Sequence, residues 1–240
     1  MSARIRAEFL GLRTLRSGYV VPMSLVALSA VIAGLSLADA GTPSLRTPAQ
    51  LREPVVAGAG LLTAVALSIF AALLAAGHWR HRTITHRLLA SPRRQQTLAA
   101  ALLTYGVLSL AVAAVALLAS VAVAQALISS KHLSLGLSAG VVAGVLLSVM
   151  LFTSLGVSVG VITRNQPAAV VVLVGTFVAE KILDTFIGHA GAFLPFGLLD
   201  PLLGLSGATI SRAAAALTLT GIAAALLLLA GLLLRRRDVT

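Results

Sequence analysis

The chain of 240 residues has no cysteine, which excludes disulfides, thiolate metal sites and thiol redox chemistry and leaves the compartment unreadable from this residue type. Charge is also scarce: charged residues make up 10% and hydrophobic ones 58% of the sequence, against roughly 25% and 45–50% in soluble domains. Lysine occurs only as Lys131, preceded by Ser130, and Lys181, preceded by Glu180. The Gly-Lys-Ser/Thr end of a phosphate-binding loop, where backbone amides cradle phosphate and the lysine reaches its terminal oxygens, is therefore absent. There is no Gly-x-Ser-x-Gly elbow for a nucleophile and no His-Glu-x-x-His pair for a zinc hydrolase. The sequence holds no recognisable catalytic machinery, so energy for any transport would enter from a partner or an ion gradient.

What the chain does hold is apolar length. Its mean hydropathy is +1.02, and roughly 20 apolar residues suffice to cross a bilayer core. Six runs qualify: Val20 to Ala38, Val55 to Ala76, Leu98 to Ile128, Leu135 to Ile162, Ala168 to Ile187 and Ala213 to Leu234. The third and fourth exceed one bilayer thickness and are expected to tilt or project into water. The first run, followed by Ala38-Asp39-Ala40, has the small-x-small form of a signal-peptide cleavage site. Its length exceeds the roughly 7–15 residues of a signal core, so it reads as a retained anchor.

The formal net charge of +11 is no nucleic-acid stripe, because the cations fall in short segments between apolar runs. With the N-terminus cytoplasmic, that side holds Arg4, Arg6, Arg13, Arg16, Arg80, Arg82, Arg87, Arg93, Arg94, Arg164, Arg235, Arg236 and Arg237; the other holds Arg46, Arg52, Lys131 and Arg212. Thirteen against four predicts both termini inside. Residues 2–17 place Ile5, Phe9 and Leu12 at helical spacing with Arg6, Arg13 and Arg16 on the remaining surface, the pattern of a helix lying among lipid headgroups. Residues 188–212, interrupted by Pro195, Pro201 and glycines, suit a short re-entrant or interfacial hairpin on the outer face. Such backbone is tolerated at depth only where protein or water satisfies it. The expected fold class is an all-α integral membrane protein, one transmembrane domain over residues 1–240 with six spans.

Residues 77–96 carry the most information. Gly77-His-Trp-Arg-His-Arg-Thr-Ile-Thr-His-Arg-Leu-Leu-Ala-Ser-Pro-Arg-Arg94 is densely basic; Thr83 can cap a short helix to Leu89 that Pro92 ends. By itself this is either a positive-inside loop or a projecting helix suited to gripping a soluble partner. His78, His81 and His86 lie among arginines that would repel a metal ion, so a solvated basic surface is expected rather than a metal site.

This segment resembles the loop of type-2 ABC transporter permeases, the membrane subunits of ATP-binding-cassette exporters, in which Gly-Glu-Tyr/Trp-Arg-x-Gly-Thr-Ile precedes Leu-Leu-Ala-x-Pro-x-Arg. Gly77, Trp79, Arg80, Thr83, Ile84, Leu88, Leu89, Pro92 and Arg94 match it. The stretch Ala7-Glu-Phe-Leu-Gly-Leu-Arg-Thr-Leu-Arg-Ser17 is similar to the Glu-x-x-Lys-Leu-Arg-Thr-x-Arg-Ser segment of many actinobacterial members. His78 stands where the family has glutamate, Arg82 where it has glycine and Gly11 where it has lysine; a heteromeric pair whose second permease keeps those residues would accommodate this. The resemblance implies a bacterial plasma-membrane protein in which two permease subunits form the pathway. It implies separate cytoplasmic ATPase subunits, with ATP and Mg bound there and no cofactor or metal here. These would dock on Gly77, His78, Trp79, Arg80, Thr83, Ile84, Leu88, Pro92, Arg93 and Arg94, and on Glu8, Arg13 and Arg16 of the N-terminal helix.

Within the spans, Glu180, Lys181 and Asp184 are the only clear charges, and intramembrane charges are functional candidates. At about 1.5 Å per residue, Glu180 and Asp184 lie roughly 18 and 24 Å from the cytoplasmic start of their helix. That places them in the outer portion, either as a gate-positioning network, with Lys181 and Asp184 able to pair at i,i+3, or in contact with substrate or coupling ion. Ser148, Thr153, Ser154, Gly156, Ser158 and Gly160 put small groups along the fourth run, permitting close helix packing or lining a weakly polar passage, with Ser154 and Ser158 as candidates. So few buried charges suit a hydrophobic or amphipathic cargo such as a drug, antibiotic or lipid-like molecule. The other readings are an ion-coupled carrier using Glu180 and Asp184, and a non-transporting membrane scaffold.

Overall fold

The fold was obtained as a computed structural model that describes residues 9–12, 16–38, 47–80, 94–129, 135–187, 190–205, 208 and 210–236. All regular structure among them is helical. The long elements are α1 (Ser17–Ala38), α2 (Pro48–Val56), α3 (Thr63–Arg80), α4 (Arg94–Ile128), α5 (Ala139–Thr163) and α6 (Gln166–Ile187), followed by short α7 (Leu199–Leu203) and long α8 (Arg212–Arg236). Five stretches are long and apolar enough to cross a membrane: Ser17–Ala38, Pro48–Trp79, Gln95–Ile128, Ala139–Thr163 and Arg212–Arg235. α6 is a 22-residue helix, but its last turns carry Glu180, Lys181 and Asp184, and it is not one of those five. Large apolar side chains such as Leu35, Leu118 and Leu217 are exposed on α1, α4 and α8, which suits faces turned to lipid.

The second expected span begins earlier than its apolar run. Thr47 caps α2: its hydroxyl accepts from the Gln50 N–H at 3.4 Å while Gln50 Oε1 accepts from the Thr47 N–H at 3.0 Å, and Pro48 follows at the helix start. This reciprocal cap satisfies donors that the first helical turn leaves orphaned. α2 passes into α3 through a wide π-helical turn, Ala57–Leu62. The turn is met by two hydroxyls, Ser29 of α1 and Thr63, whose Oγ and Oγ1 donate to the Gly58 carbonyl at 3.0 and 3.2 Å. Away from water such extra donors are what a disturbed helix requires.

α3 and α5 form the tightest pair, and small residues are the reason. Gly156 lies against the Ser68 carbonyl and Gly160 against that of Ala72, so close that a Cβ at either glycine would overlap backbone. The i,i+4 spacing places both glycines on one face of α5 and Ser68 and Ala72 on one face of α3, the small-xxx-small arrangement of membrane helix pairs. The main core builds outward from this seam: Phe152, Val149 and Val145 of α5, Leu67 and Phe70 of α3, and Leu219 of α8. Residues 190–205 pack into it rather than over it. Leu198, Leu199, Leu202 and Leu203 are almost wholly buried, and Gly144 lets the Leu202 carbonyl come against α5.

Candidate functional site

At one end of the bundle the roots of the two family-like segments lie together. Gly77, His78, Trp79 and Arg80 continue α3, and Arg94 opens α4; Thr83, Ile84, Leu88, Pro92 and Arg93 lie outside the described residues, as do Glu8, Arg13, His81 and His86. Leu12, from the short helical stretch 9–12, is buried in a cluster with Ala75 of α3, Tyr105 of α4, Val161 of α5 and Leu234 of α8. Phe9 is exposed and so is Arg16.

The end of α3 is held by the turn between α5 and α6. α5 stops at Arg164, whose φ of 54° is left-handed and whose N–H donates to the Gly160 carbonyl. Asn165 then starts α6, its Oδ1 accepting from the Ala168 N–H at 3.2 Å. A left-handed arginine costs about 1–2 kcal/mol, and its contacts offset this. The Arg164 guanidinium carbon sits 5.6 Å from the centroid of the Trp79 ring, within cation–π range. Gln166 Nε2 donates to the Leu73 carbonyl at 3.0 Å, and Gly77 leaves space for that amide. His78 Nε2 lies 3.4 Å from the Tyr105 hydroxyl. No local pattern in the sequence links Arg164, Gln166 and Tyr105 to the end of α3, because they lie 26 to 87 positions from Trp79.

At the other end the three charges of α6 separate. Glu180 is 3% exposed, and its Oε2 accepts two backbone N–H bonds, from Phe196 at 2.8 Å and Gly197 at 3.1 Å. Oε1 is buried without a partner among the described residues. The Phe196 ring meets Phe152 and Phe177 edge-on at 5.1 and 5.2 Å between centroids. Glu180 is thus bound into the turn of residues 190–205. Lys181 and Asp184 are exposed, and the local Lys181–Asp184 ion pair allowed by their spacing is not found. Burial raises the carboxyl of Asp200 in α7 above its ordinary value, with Lys181 acting to lower it and Asp184 and Glu53 to raise it.

The hydroxyls of α5 serve the helix itself. Ser154 Oγ donates to the Leu151 carbonyl at 2.6 Å and Ser158 Oγ to that of Ser154 at 2.8 Å. Thr153 Oγ1 is 2.8 Å from both the Val149 carbonyl and Ser109 Oγ. Ser158 is buried. Among the described residues no three His, Asp or Glu side chains converge as a metal site would require. No family model matches the chain, and no curated protein matches it.

Proposed function

We propose that the chain is the membrane subunit of an ATP-binding-cassette exporter, moving a hydrophobic or amphipathic drug, antibiotic or lipid-like molecule across a bacterial plasma membrane. The observation that carries this reading is the joining, at one end of the bundle, of the two segments that resemble type-2 permeases: Leu12 is buried beside the helices whose ends bear Trp79 and Arg164. A loop rooted in a helix end that is clamped to α4, α5 and α6 transmits a partner's push instead of absorbing it. α6 is read as a further span, fifth of six in chain order, both termini as cytoplasmic, and residues 188–212 as an outer hairpin dipping into the bundle, its backbone satisfied partly by Glu180. The exposed face of α6, with Val171, Gly175, Val178, Lys181 and Asp184, is too polar at its outer end for lipid alone. It is the surface on which a second permease would sit.

The test is affinity purification of the full chain under mild detergent from its native host. A P-loop ATPase recovered in stoichiometric amount, and lost on Trp79→Ala, is the expected result; its activity should rise with the cargo. The chain isolated without such a partner, yet driving uptake or efflux on an ion gradient in proteoliposomes, would establish the ion-coupled carrier instead. The unpartnered Glu180 Oε1 is the atom that carrier would use, so Glu180→Gln abolishing gradient-driven flux separates the two.

A further inference from the structure

Four cations were expected on the sparsely charged side of the chain, and two of them, 160 positions apart, converge on one glycine. Arg52 of α2 donates through Nη1 to the Gly136 carbonyl and through Nη2 to the Gly204 carbonyl, both at 3.4 Å, the long limit of a hydrogen bond. Arg212, first residue of α8, also lies against Gly204; a Cβ at Gly204 would overlap its Nη2, and a Cβ at Gly140 would lie 2.6 Å from its Nη1. Gly136 and Gly204 have φ of 57° and 68°, left-handed backbone that glycine adopts at little cost. Two helices also begin here with serine caps: Ser138 Oγ accepts from the Val141 N–H and Ser211 Oγ from the Ala214 N–H. Their amino-terminal ends add positive potential.

No ion pair of either arginine with a carboxylate is found among the described residues. Arg212 Nε is buried with no hydrogen-bond partner among the described residues, while the residue as a whole, like Arg52, is only partly covered. Two guanidinium groups drawn together without a carboxylate repel each other, and a buried N–H without an acceptor is costly. Both costs fall when an oxyanion lies between the two planar forks, a geometry that suits phosphate and carboxylate.

We infer that Arg52, placed by the Gly136 and Gly204 carbonyls, and Arg212, whose fork Gly140 and Gly204 leave room for, form a phosphate-binding cradle at this end of the bundle. Its natural occupant is the phosphodiester of an anionic phospholipid in the adjacent leaflet. The inference rests on the membrane reading of the chain and is independent of transport.

The full chain in detergent is titrated with phosphatidylglycerol or phosphatidylcholine and bound lipid is counted by native mass spectrometry; a parallel arm follows thermal unfolding with millimolar inorganic phosphate. The expected result is preferential retention of phosphatidylglycerol, with about one such lipid per chain lost in the double variant Arg52→Gln/Arg212→Gln and affinity at that site lowered about tenfold or more. Arg235→Gln at the opposite end serves as the control that keeps it. Stabilisation by inorganic phosphate alone, abolished by the double variant, keeps the cradle and makes a free phosphate group its ligand. Wild-type chain that treats the two lipids alike and ignores phosphate overturns the inference without any variant. So does a monodisperse double variant that retains phosphatidylglycerol as the wild type does. If the double variant does not fold, Arg212→Lys, which keeps charge but not the fork, should show the same loss in weaker form; unchanged retention there is equally fatal.

Discussion

Helices α5 and α6 follow one another across the two-residue turn Arg164–Asn165 and yet meet opposite environments. α5 is buried at positions spread from Val141 to Val161; in α6 only Ala169, Leu173 and Glu180 are buried. The difference is a matter of side-chain size and polarity. α5 carries glycines at 144, 156 and 160 that admit neighbouring backbone, with each of its hydroxyls turned onto a carbonyl of its own helix. α6 has β-branched residues spread along its length and a charged carboxy-terminal end, so it is held at two places. At its base Ala169 and Leu173 pack with Ala72 and Val159 and Gln166 bonds to Leu73. Near its top Glu180 binds residues 196 and 197. α5 is thus enclosed along its length, whereas α6 is pinned at two points and leaves most of the surface between them open.

The sharpest way to break the contrast is to widen the α5 seam. Gly156→Leu drives a side chain into the Ser68 backbone and should lower stability by about 3 kcal/mol, the upper end for forced overpacking, read as the midpoint of denaturant unfolding in detergent. Wild-type stability in that variant would mean that the α3–α5 approach is not holding the core. Releasing the upper pin of α6 comes next. Glu180→Ala leaves the Phe196 and Gly197 N–H groups unsatisfied and should cost about 2 kcal/mol, with faster hydrogen exchange confined to residues 190–205. Glu180→Gln, which keeps an acceptor, should recover most of this; if it is as damaging as alanine, the carboxylate charge and not the hydrogen bond is what matters.

The lower pin is weaker. Gln166→Ala removes one neutral hydrogen bond to Leu73 and should cost about 1 kcal/mol, with Trp79 fluorescence reporting a loosened α3 end; an unchanged spectrum would show that Arg164 alone fixes the indole. Smallest of all is the effect on the open face. Gly175 has nothing within 4 Å of a Cβ, so Gly175→Cys should change stability by less than about 0.5 kcal/mol. In a chain without cysteine it also introduces the sole thiol. Oxidation should link two copies if α6 carries the second permease. A Leu228→Cys variant that links while Gly175→Cys does not would move that contact to α8.

Much of the helical layout was legible because apolar runs are local. Val20 to Ala38 became Ser17–Ala38, Leu98 to Ile128 became Arg94–Ile128, and Ala213 to Leu234 became Arg212–Arg236. The early start at Pro48 was written in Thr47-Pro48-Ala49-Gln50, a capping box that hydropathy alone does not register. The ends were less readable. Glu180 stands out in the sequence as a rare charge within an apolar run, but its partners are backbone N–H groups, which no side-chain pattern announces. Nothing local links Arg52 to Arg212, or Trp79 to Arg164; those pairs exist because helices return to the same level of the bundle.

The wide turn at Ala57–Leu62 has one more consequence. A π-helical turn is what a regular helix becomes when it absorbs an extra residue, and each residue rotates the helix by about 100°. Leu51 and Val55 before the turn and Ala59 within it join Ala33, Leu37 and Leu117 in one cluster; Val56 and, beyond the turn, Ala64, Leu67 and Phe70 join α5 and residues 196–203 in another. One rod thus addresses two separate interiors, and the phase slip sets which residues meet each. Deleting a single residue from Ala57-Gly-Ala-Gly60 would straighten the rod and point one of its halves at the wrong neighbours.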